Sequence, residues 1–185
     1  IGPRPDLVLQ RGAGTGVGDG LTMAREAGAA VTALNRFYGH LLSRDALRND
    51  KVWPYPQIDA VAAAAIVVDR NGRRFLDEEL GGIYIANELA RLDDPTCATV
   101  IFDAPIWERA GREAQIPPNP LLEKAGGTLY RGETLAAVAA AAAIPADALA
   151  ESVAAYNAAL AGKTKSLPIR QPPFSRSTPR SSSRP

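Results

Sequence analysis

Asn71-Gly72 stands between two strand-like runs, Ala65-Ile-Val-Val-Asp69 and Arg73-Arg-Phe-Leu76, and fixes local structure more tightly than any other feature of the chain. Asn-Gly is the strongest two-residue turn signal, so the segment predicts a β-hairpin. Cys97-Ala-Thr-Val-Ile-Phe-Asp103 is β-branched and aromatic, of buried-strand type, and supplies a further strand. Around these strands the pattern is helical. The expectation is an α+β fold with a small mixed sheet, a hairpin and covering helices.

Thr134 is placed to cap an alanine-rich helix running through Ala143. Pro145 opens a second helix, in which Leu149, Val153, Tyr156 and Leu160 form one apolar stripe before Gly162 ends it. Further helices are predicted over Ile83–Arg91, stopped by Asp93-Asp94-Pro95, and over Pro105–Ala110, with 116–120 as an irregular connection. Near the N-terminus, Asp6–Gly12 reads as a short strand. A glycine-rich turn follows, then a short helix between an Asp19 N-cap and a Gly28 C-cap, and a strand over Ala29–Leu34 leading to Phe37-Tyr-Gly-His40.

Composition narrows the function classes. The 46% hydrophobic and 22% charged content is globular, and the 185 residues suit one ordinary domain or two small ones. A single cysteine, Cys97, excludes an internal disulfide framework and a cysteine-rich zinc site, and a single histidine, His40, excludes a His-His metal pair. No apolar run is long enough to span a bilayer and no secretory pattern opens the sequence, so a cytoplasmic protein without membrane contacts is expected. The net charge is +1, but residues 163–185 hold six Lys or Arg and no acid. Removing them leaves 15 basic against 20 acidic residues, a net −5 that argues against nucleic-acid binding. The tail itself, rich in Pro, Ser and Arg, reads as disordered, with an RS-like RNA-binding tail as the alternative.

Local chemistry alone is sparse. The glycine-rich turn resembles a phosphate cradle, but Gly14-Thr-Gly16 does not complete a dinucleotide fingerprint, because Asp19 stands where the third glycine belongs. A closed, capped connection is the simpler reading. His40 can bind an anion or carry a proton, or be an ordinary half-buried histidine. Asp77-Glu78-Glu79 reads as a solvated acidic face, and Cys97 as a small core residue. No nucleophile–base pair and no metal spacing is visible, so no catalytic residue is assigned.

Four segments together resemble a known family. Arg11-Gly-Ala-Gly-Thr15-Gly-Val-Gly18-Asp19-Gly20-Leu-Thr-Met-Ala-Arg-Glu-Ala-Gly28 is similar to the entry into the substrate-capping domain of FAD-dependent fumarate reductase/succinate dehydrogenase-type flavoproteins. So are Ile66–Glu78, Ala98–Asp103 and Thr134–Asn157, in matching order and spacing. The wider group includes tricarballylate dehydrogenase-like members and 3-ketosteroid dehydrogenases. The resemblance implies that 1–28 connects to an FAD-binding domain, 29–162 is the capping domain and 163–185 is a tail. It implies FAD as cofactor, touched by Asp19 with Thr15, Gly18 and Gly20, and a substrate carboxylate held by His40. The implied substrate is a small molecule such as a di- or tricarboxylate or a ketosteroid.

The departures set further expectations. Fumarate reductases carry an acid and an arginine before the hairpin and a catalytic arginine after it; here Gln57-Ile-Asp-Ala-Val61 and Glu79-Leu-Gly-Gly-Ile83 contain no arginine. Lys163–Phe174 still resembles the family, whereas Ser175 onward does not, as in a gene fragment, a pseudogene product or an out-of-frame end. The chain alone is expected to lack redox turnover, to bind FAD more weakly than roughly 100 μM, and to self-associate through the face that meets the FAD domain. A non-catalytic interaction module that keeps the cap fold is the alternative.

Overall fold

A computed structural model describes residues 2–162; the basic tail expected at 163–185 lies outside them. Its helices are α1 (Asp19–Glu26), α2 (Asp59–Ala63), α3 (Gly82–Leu89), α4 (Ala104–Glu113), α5 (Pro118–Lys124), α6 (Leu135–Ala141) and α7 (Ala146–Leu160). The strands are β1 (Ile66–Val68) and β2 (Thr99–Ile101), paired antiparallel with Val67 opposite Val100. The architecture is α+β. Among the described residues the sheet has two antiparallel strands and is not mixed.

Strand alternation organises the core. Ile66 and Val68 point to one face of β1 and pack with Ala139, Ile144 and Leu149 of the α6–α7 pair. Val67 points the other way, to Leu41, Leu76, Ile85 and Ala86, so α3 covers the second face. A third cluster joins Ala46, Val52, Val61, Trp107 and Leu122, uniting α2, α4 and α5. The predicted covering helices are in place. Thr134 Oγ1 accepts the Ala137 N–H at 3.1 Å, and Leu149 at the head of the apolar stripe is fully buried. Leu160, at its end, is exposed.

The hairpin differs from its sequence reading in an instructive way. Only Gly72 takes a positive φ, and Gly72 N–H bonds to Asp69 O while Asp69 N–H bonds to Arg73 O. The loop therefore holds three residues, a type I turn closed by a left-handed glycine, in place of a two-residue turn. Asp69 Oδ1 accepts the N–H groups of Asn71 and Arg73, which favours that loop. A side chain at Gly72 would meet Ile144 and the Leu149 amide at 3.0 Å, and Ser152 Oγ donates to Gly72 O. Gly72 is thus buried under α7, while Arg70 and Asn71 remain exposed.

After one bridge, Val68 to Arg74, the returning arm leaves the sheet. Its cause is Glu78, expected in a solvated acidic face but only 2% exposed. Glu78 Oε1 accepts the Val67 N–H at 2.8 Å, the place a third strand would take, and Oε2 pairs with Arg74 at 2.6 Å. Tyr156 of α7 stacks on the Arg74 guanidinium at 5.3 Å. Burial of a paired carboxylate has replaced strand pairing.

Other expectations are corrected. Asp6–Gly12 and Ala29–Leu34 form no strand; Pro5–Leu7 is a single 3-10 turn, and residues 9–36 are exposed throughout, with no neighbouring strand to pair. Asp19 is the first helical residue of α1, not its N-cap, which is Gly18 at φ 92°. Gly28 does follow the helix in the left-handed conformation. Cys97 ends a 3-10 turn and is half-buried, outside the strand. Strand β2 is shorter than predicted because Asp103 turns to cap α4, accepting the Ile106 N–H. It is also only half-buried, as an edge strand. The connection at 116–120 contains the start of α5, broken at the non-helical Asn119.

Candidate functional site

His40 lies on an extended stretch, Phe37–Leu41, that belongs to no strand, so its backbone groups need side-chain partners. Asn87 of α3 supplies them at one end: its Oδ1 accepts the Phe37 N–H at 3.1 Å, and its Nδ2 donates to Phe37 O at 2.8 Å. At the other end Asp59 of α2 accepts the Leu41 N–H through Oδ2, while Leu41 O accepts the Ile58 N–H. The stretch is held from two helices. His40 is therefore carried on a fixed backbone.

Asp59 also faces the imidazole directly, with Oδ1 3.3 Å from His40 Nδ1. Their side chains are 23% and 26% exposed respectively. The contact favours a proton on Nδ1 and leaves Nε2 for a ligand. Burial pushes the Asp59 carboxyl above its ordinary value, against the pull of His40 and the Leu41 N–H. The rings of His40 and Tyr38 meet edge to face at 5.1 Å.

The raised Asp59 carboxyl predicts a sign. The folded chain holds this proton more tightly than the unfolded chain, so its contribution to stability is greatest below the unfolded value near 3.9 and falls as pH rises through the folded value. Urea unfolding across mildly acidic pH should show Asp59→Asn with a less negative, or more positive, slope of stability against pH than the parent. Identical slopes would show that Asp59 is not desolvated.

His40 opens onto a cleft of about 190 Å³ whose wall includes Arg11, Tyr55, Gln57 and the end of the α4–α5 connection at Gln115. Arg11 Nη1 donates to Tyr55 Oη at 2.9 Å, and its guanidinium lies 5.6 Å from the Tyr55 ring centre. No acidic side chain lines the cleft. The Asp59 carboxylate meets His40 from the Nδ1 side, outside the cleft lining.

The other expected site residues lie elsewhere. Thr15, Gly18, Asp19 and Gly20 share the exposed turn that opens α1, and none of them lines the His40 cleft. Side chains placed at Gly14, Gly18 or Gly20 would meet nothing within 4 Å. The turn is an open edge, not a closed cradle.

The sequence gives no sign of Arg11, Tyr55 and Gln57 as cleft components, or of Asp59 as the partner of His40. Arg11 lies 44 positions from Tyr55 and His40 lies 19 from Asp59, so no short spacing announces either pair. The one usable signal was the isolated histidine itself.

Among curated proteins, 4-oxocyclohexanecarboxylate 2-dehydrogenase from Sinomonas cyclohexanicum is 29% identical to the chain over 156 residues, covering 78% of this chain and 26% of that protein. The chain thus spans about a quarter of the length of the relative it matches. No family model matches the chain. No solved structure matches it either.

Proposed function

We propose that the chain is the substrate-capping part of an FAD-dependent oxidoreductase that acts on a carboxylate-bearing small molecule. The observation that carries this reading is the cleft, where His40, held by Asp59 and a clamped backbone, shares an acid-free wall with Arg11, Tyr55 and Gln57. Imidazole and guanidinium together suit a carboxylate, which each can meet with charge-assisted hydrogen bonds. The likeness to a dehydrogenase named for a cyclic keto-carboxylate supports the same class of substrate and a general oxidoreductase role.

Hydride chemistry in this reading belongs to the flavin and to polypeptide outside residues 2–162. The described residues bind and orient. In its imidazolium form His40 donates Nε2–H to a substrate carboxylate while Nδ1–H faces Asp59, which holds the ring, and the cap excludes water from the reacting face. Asp19, Thr15, Gly18 and Gly20 offer a backbone edge at the start of α1 toward the cofactor. The absence of arginine from 57–61 and 79–83 separates this chain from fumarate reduction.

Two measurements test the proposal. Calorimetric titration of the chain with FAD is expected to give a dissociation constant above roughly 100 μM, because one or two hydrogen bonds from an open edge do not offset the cost of immobilising the ligand. Expression together with whatever coding sequence precedes Ile1 is expected to yield a yellow protein with dye-linked dehydrogenase activity on a cyclic keto-carboxylate. A colourless, inactive longer protein would sink the oxidoreductase reading and leave a binding module.

A further inference from the structure

Among the described residues Arg11 pairs with no carboxylate, although the first 162 residues carry 20 acids against 15 bases. Its contacts are the Tyr55 hydroxyl and the Tyr55 ring, which hold the planar group from one side. Arg74, Arg91, Arg112 and Arg131 each pair with a glutamate, whereas Arg44, like Arg11, rests on a tyrosine, bonding to Tyr130 Oη with its guanidinium 5.9 Å from that ring. Arg11 lines the same acid-free cleft as His40.

We propose that Arg11, steadied by Tyr55, is the second anchor of the carboxylate that His40 receives, and that the cleft takes a small-molecule monocarboxylate. The cleft measures about 190 Å³, and Arg11, His40 and Gln57 also line an adjoining space of about 1090 Å³, so the anchors and not the volume define the ligand. Chemistry argues for a single carboxylate. The anchors available are one guanidinium and one imidazole on one small wall, with Gln57 as a neutral neighbour. A guanidinium offers a carboxylate two parallel N–H bonds, which a lysine at the same place does not.

This inference rests on the cleft being the substrate-facing surface, and it is tested without flavin. His40 is the single histidine of the chain, so its ring resonances identify themselves in a proton NMR spectrum. Titration of the 185-residue protein with cyclohexanecarboxylate, at constant ionic strength, should shift them saturably in the millimolar range. Cyclohexanemethanol, which lacks the charge, should not shift them. Arg11→Gln should weaken carboxylate binding by about tenfold or more, the loss of about one charge-assisted hydrogen-bonded contact. Arg11→Lys, which keeps the charge, should still lose at least about threefold because it lacks the fork.

A parent protein with no saturable shift at roughly 50 mM ligand, an affinity too weak for a built site, would overturn the proposal. So would an Arg11→Gln or Arg11→Lys protein that binds as well as the parent. Misfolding is separable, because the free His40 resonances and the thermal midpoint report it directly. A chain that binds the carboxylate while the longer protein remains colourless would keep this site and remove the flavoprotein reading. The reverse result would remove the Arg11 anchor alone.

Discussion

Replacing Glu78 with alanine should destabilise the chain by about 3–5 kcal/mol, the range for breaking a buried ion pair from one side. Glu78 is 2% exposed and serves two partners at once. Its loss strips the acceptor from the Val67 N–H in the middle of β1 and leaves the Arg74 guanidinium, 13% exposed, without its nearest anion. Asp77, at 3.9 Å and more exposed, is a poor substitute. Glu78→Gln keeps a carbonyl oxygen for Val67 but turns an NH2 donor toward Arg74 in place of the second oxygen, so it should fall between alanine and the parent. With natural stabilities of about 5–15 kcal/mol, the alanine variant risks partial unfolding at ambient temperature. Urea denaturation followed by far-UV circular dichroism measures the loss. A change below about 1 kcal/mol for alanine, the scale of an exposed pair, would show that the pair is solvated after all.

That residue also marks how far the sequence is readable. The Asn71-Gly72 turn, the Thr134 cap, the Gly28 helix exit and the Leu149–Tyr156 stripe rest on interactions within a few residues, and local patterns expose them. Glu78 could not be read this way. Its backbone partner Val67 lies 11 positions earlier, across a turn, and an acidic triplet is ordinarily solvated. The N-terminal stretch shows the opposite failure, since Ala29–Leu34 has strand-like composition and no strand beside it. Strand propensity expresses itself only where a neighbouring edge is present. The candidate site follows the same rule. His40 was visible because it is alone in the chain, whereas Arg11, Tyr55 and Asp59 become neighbours only through folding.

The site has a second dependence, on a glycine in a helix. Gly82 opens α3, where alanine would ordinarily gain about 0.5–1 kcal/mol over glycine. Here a Cβ would fall within 2.5 Å of Asp59 Cβ and Cγ, so the carboxylate must move. Asp59 has little room to yield, because Oδ2 holds the Leu41 N–H and Oδ1 faces His40. Gly82→Ala should therefore cost about 1–3 kcal/mol, the usual scale of overpacking. The sign is the test, since propensity alone gives the opposite one. The same displacement loosens the hold on His40, so the free His40 ring resonances should shift and carboxylate binding should weaken by at least about threefold, or roughly 0.65 kcal/mol. Gly81→Ala gives a local comparison of a different kind: a side chain there meets nothing within 4 Å, but the residue has φ +85°. It should lose stability through backbone strain, of the order of 1 kcal/mol or more, with little change in the His40 resonances. A Gly82→Ala protein that is more stable than the parent, with unmoved His40 resonances, would show that Asp59 does not couple α3 to the cleft.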